Sequence, residues 1–209
     1  MMLEIFQDER QFGFGYCDDP QLAINETKKI HRAIAVIRQQ VSPAFAEINT
    51  FIHAIYLTSE TQDGSCFLRS ASNFYLWGAM FVYTHKEHTI PYYVGILAHE
   101  CGHTALNIIN SFDELVVNNP QELYAAPLRE DNRPMIGIFH AFFVLSRICY
   151  VFNAIVQNNS SPYVEECRER FAVVFKKLQD THNTIKQHAV LTDIGRRIYI
   201  GICELWNFD

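Results

Sequence analysis

From Pro91 to Leu106 the apolar positions fall at three- and four-residue steps, through Tyr93, Ile96, Leu97, His99, Gly102 and His103. That period predicts a helix with one buried face. The same period marks four further stretches. Leu22, Ile30, Ala33, Ile34, Val36 and Ile37 draw a helical stripe from Pro20 to about Gln40, where Pro43 interrupts it or opens a further turn. Pro134 suits the first turn of a strongly apolar helix reaching about Val156. Ser160-Ser161-Pro162 breaks the chain, Pro162 begins a helix to about His188, and a last helix covers roughly Thr192 to Leu205.

Elsewhere the pattern changes. The first twenty residues, with Gly13, Gly15 and Asp18-Asp19-Pro20, read as irregular. Phe51 to Thr58 is β-branched and aromatic and predicts a strand; Asp63-Gly64-Ser65 marks a turn, and Cys66 to Ser70 a short strand after it. Phe74 to Thr84 predicts another strand, with Gly78 at a bulge or bend. Residues 113–133 hold Asn118-Asn119-Pro120, Pro127 and several charges, and read as a long connection. The expected architecture is a single α+β domain over 1–209. A small antiparallel sheet packs against a mainly helical half, and the helix carrying His99 and His103 runs through the core in zincin-like fashion.

Composition narrows the function classes. A net charge of −6 disfavours nucleic acid, whose phosphates need a basic surface. The doublets Lys28-Lys29, Lys176-Lys177 and Arg196-Arg197 read as solvated helix faces. Six cysteines without a CxxC pair suggest thiols of a reducing compartment. The N-terminus lacks a signal-peptide pattern, and no uninterrupted apolar run suggests a membrane span, so the expectation is a cytoplasmic protein without a membrane partner. Sixteen Phe and ten Tyr supply rings for a core or for a homodimer interface equally well.

The chemistry concentrates at His99-Glu100-Cys101-Gly102-His103. Positions i and i+4 share a helix face, so two imidazoles can meet one ion, and the intervening Glu falls beside it, free to act as a base. Cys101 points well off that face and reads as a buried neighbour. Gly102 costs the helix about 1 kcal/mol against Ala, which a close-packed neighbour or substrate would explain. A catalytic ion needs a third protein ligand and open positions. His140, alone in the apolar stretch 135–143, is the first choice, and Glu122 the second. Between these helices, Pro127-Leu128-Arg129-Glu130-Asp131-Asn132-Arg133-Pro134 reads either as a solvated loop closed by weak ion pairs or as an anion clamp, since guanidinium binds carboxylate bidentately. His85 and His88 form a weaker pair, better explained by exposure. His31, His53, His182 and His188 carry no motif.

The HECGH stretch, residues 124–134 and Gly137-Ile138-Phe139-His140-Ala141 together resemble the HExxH-motif proteins of ribosomal-peptide biosynthesis, similar to Fe(II)- and 2-oxoglutarate-dependent peptide β-hydroxylases. The resemblance covers about 90–156. It implies that His99, His103 and His140 hold Fe(II), leaving positions for 2-oxoglutarate and dioxygen. It also implies that Arg129 or Arg133 binds the far carboxylate of 2-oxoglutarate, that Glu100 orients a ligand or water, and that the substrate is a precursor peptide. Two readings compete with it. One is a zinc metallopeptidase with Glu100 as general base and Glu122 or His140 as third ligand. The other is a non-catalytic peptide-binding protein with a structural metal, against which the intact Glu100 weighs.

Overall fold

A computed structural model describes residues 15–59, 70–72, 76–127, 131–158 and 161–209. The chain runs β1 (Gly15–Tyr16), α1 (Pro20–Gln40), α2 (Ser42–Phe51), β2 (Ala54–Ser59), β3 (Ser70–Ser72), β4 (Ala79–Tyr83), α3 (Ile90–Phe112), β5 (Leu123–Tyr124), β6 (Arg133–Pro134), α4 (Met135–Gln157), α5 (Val164–His188) and α6 (Asp193–Trp206). The mixed α/β composition and the five helices drawn by the apolar period agree with that pattern; α2 runs further than the turn or two expected after Pro43, taking Phe51 into a helix, so the strand expected from Phe51 begins at Ala54. The predicted turn at 63–65 lies outside the described residues, as do residues 66–69 and 74–75 of the predicted strands.

Local chemistry sets the helix starts. Asp19 accepts the backbone N–H of Gln21 at 2.8 Å and of Leu22 at 3.1 Å, and Pro20 follows in the first turn of α1. Pro43 has no N–H to continue α1 and instead occupies the first turn of α2. Thr89 caps α3 through Tyr92 N–H at 3.2 Å, with Pro91 in its first turn. Thr192 caps α6 and donates to the Glu114 carbonyl at 2.6 Å, tying that helix to the end of α3.

The sheet corrects one expectation. Its order is β1-β2-β4-β3, and the central pair β2–β4 is parallel, with Ala54 opposite Ala79 and Thr58 opposite Tyr83. Only the outer pairs, β1–β2 and β3–β4, are antiparallel. Met80, Phe81 and Val82 are consecutive and all buried, so β4 is covered on both faces and takes a central place. The long strand predicted from Phe74 begins only at Ala79. Gly78, at φ +83°, turns the chain, and its carbonyl accepts both His53 and Ala54 N–H. A Cβ there would lie 2.6 Å from the His53 ring.

The core lies where α3 crosses α4 and α5 packs along α4. Phe139, Phe142, Cys149 and Ile155 on α4 are completely buried, as are Tyr93 and Leu106 on α3. Helix α4 is interrupted by His140, Ser146, Arg147 and Asn153, so its apolar run is broken, as the sequence reads it. By length and composition Met135–Gln157 could cross a membrane, and 67% of its most apolar stretch is buried inside the protein. Such burial is what a core helix requires.

One polar network is built into this interior. Tyr93 donates to Glu26 at 2.6 Å, and Lys29 pairs with the other oxygen of Glu26 at 2.8 Å. Lys29 also donates to the carbonyls of Lys86 and His88, which ties α1 to the turn preceding α3. Glu26 is 1% exposed and its carboxylate is satisfied on both oxygens.

Candidate metal centre

His99 and His103 lie one turn apart on α3, with ring centroids 4.8 Å apart and planes at 72°. His140 projects from α4, its ring 6.0 Å from that of His103 and inclined by 25°. Two helices bring the rings together because they cross closely: a Cβ at Gly102 would lie 3.3 Å from Val144 Cγ2 and 3.6 Å from Arg147 Cγ. The glycine that weakens α3 locally is what lets α4 approach. Among the described residues, no hydrogen bond occupies the nitrogens of these three rings.

Burial keeps the imidazoles neutral. It pushes His99 down to about 4 and lowers His140; His103 falls to about 3, with the neighbouring His99 and His140 adding to the effect. Yet 41% of the His99 side chain stays accessible, because it lines an open groove. Neutral imidazole is the form that binds a metal.

Glu100 is 2% exposed, and burial pushes its carboxyl up to about 7, a rise that a hydrogen bond from Ser72 Oγ at 3.1 Å partly offsets. Its Oε1 stands 3.9 Å from His99 Nε2. Ser72, on β3, carries no sequence signal, since only the packing of the sheet edge on α3 brings it there.

Two imidazoles sharing an ion at bonds of about 2.1 Å have ring centroids about 4.5 to 5.3 Å apart. The His99–His103 pair meets that spacing. His140 stands wider, and among the described residues no three His, Cys, Asp or Glu side chains form a ready cage. Three imidazoles are a donor set of the kind that borderline transition metals take. Glu122 is exposed and accepts Tyr124 Oη at 2.6 Å, within a network joining Asn118 to the His188 carbonyl.

Arg129 lies outside the described residues. Arg133 pairs with Asp131 at 2.7 Å, and its buried Nε has no hydrogen-bond partner among the described residues. It lines a recess of about 60 Å³ with Ala126, Pro127, Gly137, Ala141 and Thr181. Arg133 is the charged side chain among those residues. Arg133 lies in β6, two residues before α4 begins, and His140 stands in the second turn of that helix. A groove of about 360 Å³ reaches His99 between Tyr92, Gly95, Ile96, Phe152 and Val174. Its charged groups are Glu169 and Arg170. His85 and His88 lie 5.7 Å apart, but His88 stacks on Tyr92 at 3.8 Å and its ring faces the Tyr93 hydroxyl, so it packs as an aromatic.

No protein-family model matches the chain, and no curated protein matches it.

Proposed function

We propose that the chain is an Fe(II)- and 2-oxoglutarate-dependent oxygenase that hydroxylates a side-chain β-carbon of a ribosomally made precursor peptide. The observation that carries this is the meeting of three neutral imidazoles from two crossing helices beside a buried carboxylate. In this reading His99, His103 and His140 hold the ion, and α3 is a zincin-like helix put to a different use. Bound iron and 2-oxoglutarate would supply the oxidising chemistry; the protein supplies orientation and exclusion of water.

Each neighbouring residue then has a task. Arg133, which lines the small recess, binds the far carboxylate of 2-oxoglutarate through its guanidinium, exchanging its present pairing with Asp131 for the co-substrate. Arg129 is the other candidate for that role from the sequence. Glu100, held by Ser72, fixes the position of a ligand or water next to His99. The apolar groove beside His99 admits the peptide side chain. A peptidase has little use for an arginine recess beside its metal, which favours the oxygenase.

One observation favours the zinc metallopeptidase instead. A Glu100 carboxyl near 7 is poised for general-base work at neutral pH. The two readings part on a single experiment. Anaerobic addition of Fe(II) and 2-oxoglutarate is expected to give the visible metal-to-ligand band of a chelate. Absence of that band, with zinc co-purifying at one equivalent, would replace the oxygenase by the peptidase. The cytoplasmic location and the peptide substrate belong to the same proposal.

A further inference from the structure

Helix α6 has two unlike faces. Gly195 and Ile202 are buried on the inner one, with Gly195 so close to the Leu115 carbonyl that no Cβ would fit. The outer face exposes Arg196, Arg197, Ile200, Gly201, Glu204 and Leu205. Ile200 and Leu205 keep 46% and 49% of their surface open. Gly201 stands mid-helix, where glycine costs about 1 kcal/mol against Ala, and a Cβ there would meet nothing within 4 Å. At Gly102 that cost is explained by the approach of α4; no described element approaches Gly201 in the same way.

The charges on this face fit a partner of one kind. Arg197 and Glu204 have no hydrogen bond or ion pair among the described residues. Seven residues make nearly two turns, so the two lie on one line along the helix, roughly 10 Å apart and too far to pair with each other. The positions between them that neighbour either one on the helix surface are Ile200 and Gly201, which carry no charge. These two flank the line at its midpoint. The face is therefore self-complementary under one operation. A second copy laid antiparallel, with the two-fold axis between Ile200 and Gly201, sets each Arg197 opposite Glu204 of the other copy. Parallel packing would instead oppose like charges at both positions.

We propose that two copies of this chain associate through α6, antiparallel and crossing at Gly201, where the missing side chain lets the helix axes approach. Two Arg197–Glu204 pairs fix the register, and Ile200 and Leu205 supply the apolar contact. One helix pair buries little area, so the association is weak and reversible, in the class below about 1,200 Å². None of these residues belongs to the candidate metal centre, so association and metal binding are measured separately.

Sedimentation equilibrium of the full chain, run from micromolar to millimolar concentration in low salt, is expected to show a monomer–dimer equilibrium. Arg197→Glu and Glu204→Arg each oppose like charges at both contacts and should weaken the dimer at least tenfold. The double exchange Arg197→Glu/Glu204→Arg restores opposite signs and should return the affinity to within threefold of the natural chain. Gly201→Leu favours the helix itself but holds the axes apart, and should weaken the dimer at least tenfold. All three positions are exposed, so circular dichroism and urea midpoints should show the fold intact in every variant. A monomer at every concentration, a dimer indifferent to the single exchanges, a double exchange as weak as either single one, or a dimer no weaker in Gly201→Leu would each overturn the proposal.

Discussion

Gly102 and Val144 meet where α3 crosses α4, and a Cβ on Gly102 would stand 3.3 Å from Val144 Cγ2. That contact fixes how near His103 comes to His140, because each histidine lies within a turn of it. Gly102→Ala should therefore give two opposing effects. Helix propensity favours Ala by about 1 kcal/mol, while crowding of Val144 costs a similar amount. Stability by urea denaturation should change by less than about 1 kcal/mol, but metal affinity should fall at least tenfold as the helices part. Gly102→Val should destabilise by roughly 2 kcal/mol.

Glu100 gives a pH signature in the metal-free protein. Its folded carboxyl stands near 7 against an ordinary 4.5, so the fold binds this proton more tightly than the unfolded chain does. The corresponding stability is complete below pH 4.5 and is lost as pH rises through 7, by roughly 3 kcal/mol in all. Glu100→Gln removes that loss. Measured by denaturation, its advantage over the natural chain should be absent at pH 4 and grow steadily to pH 8. His99 and His103 work in the opposite sense: folded values near 4 and 3 mean that their stability is lost as pH falls below about 6.5.

The Glu26 network should be costly to break. Tyr93→Phe leaves a carboxylate of 1% exposure with Lys29 alone, and a lost hydrogen bond to a buried charge costs about 1.5–3 kcal/mol. Urea midpoints should fall accordingly, with metal binding at the histidines little changed.

Arg133 separates co-substrate from metal. Arg133→Gln should raise the Kd for 2-oxoglutarate at least tenfold while Fe(II) affinity stays within twofold. Arg133→Lys should not restore it, since an ammonium lacks the planar fork. Equal weakening of both ligands would assign Arg133 to the fold and not to the co-substrate.

The sequence carried the helices and the α3 pair well, because i, i+3 and i+4 spacing is a local property and His99 and His103 need only one helix to meet. The long-range features were less legible. Alternation in residues 51–58 and 74–84 cannot tell a parallel neighbour from an antiparallel one, so the β2–β4 pairing had no signature. Gly78 is legible as a bulge or bend, but its positive φ makes it a turn, and the strand starts only after it, at Ala79. Ser72 reaches Glu100 across 28 residues, and the groove at His99 draws on Val174 from α5. Neither follows from spacing, since both depend on how the sheet and α5 settle on α3 and α4.

The central claim is that His99, His103 and His140 share one ion, and metal stoichiometry tests it most directly. The natural chain and its single Ala variants at His99, His103, His140 and Glu122 are loaded with Fe(II) under nitrogen, desalted and assayed for iron, with circular dichroism confirming the fold. The account predicts one equivalent in the natural chain and in Glu122→Ala, and less than a tenth in each histidine variant. Full retention in His140→Ala, or loss in Glu122→Ala, would contradict it.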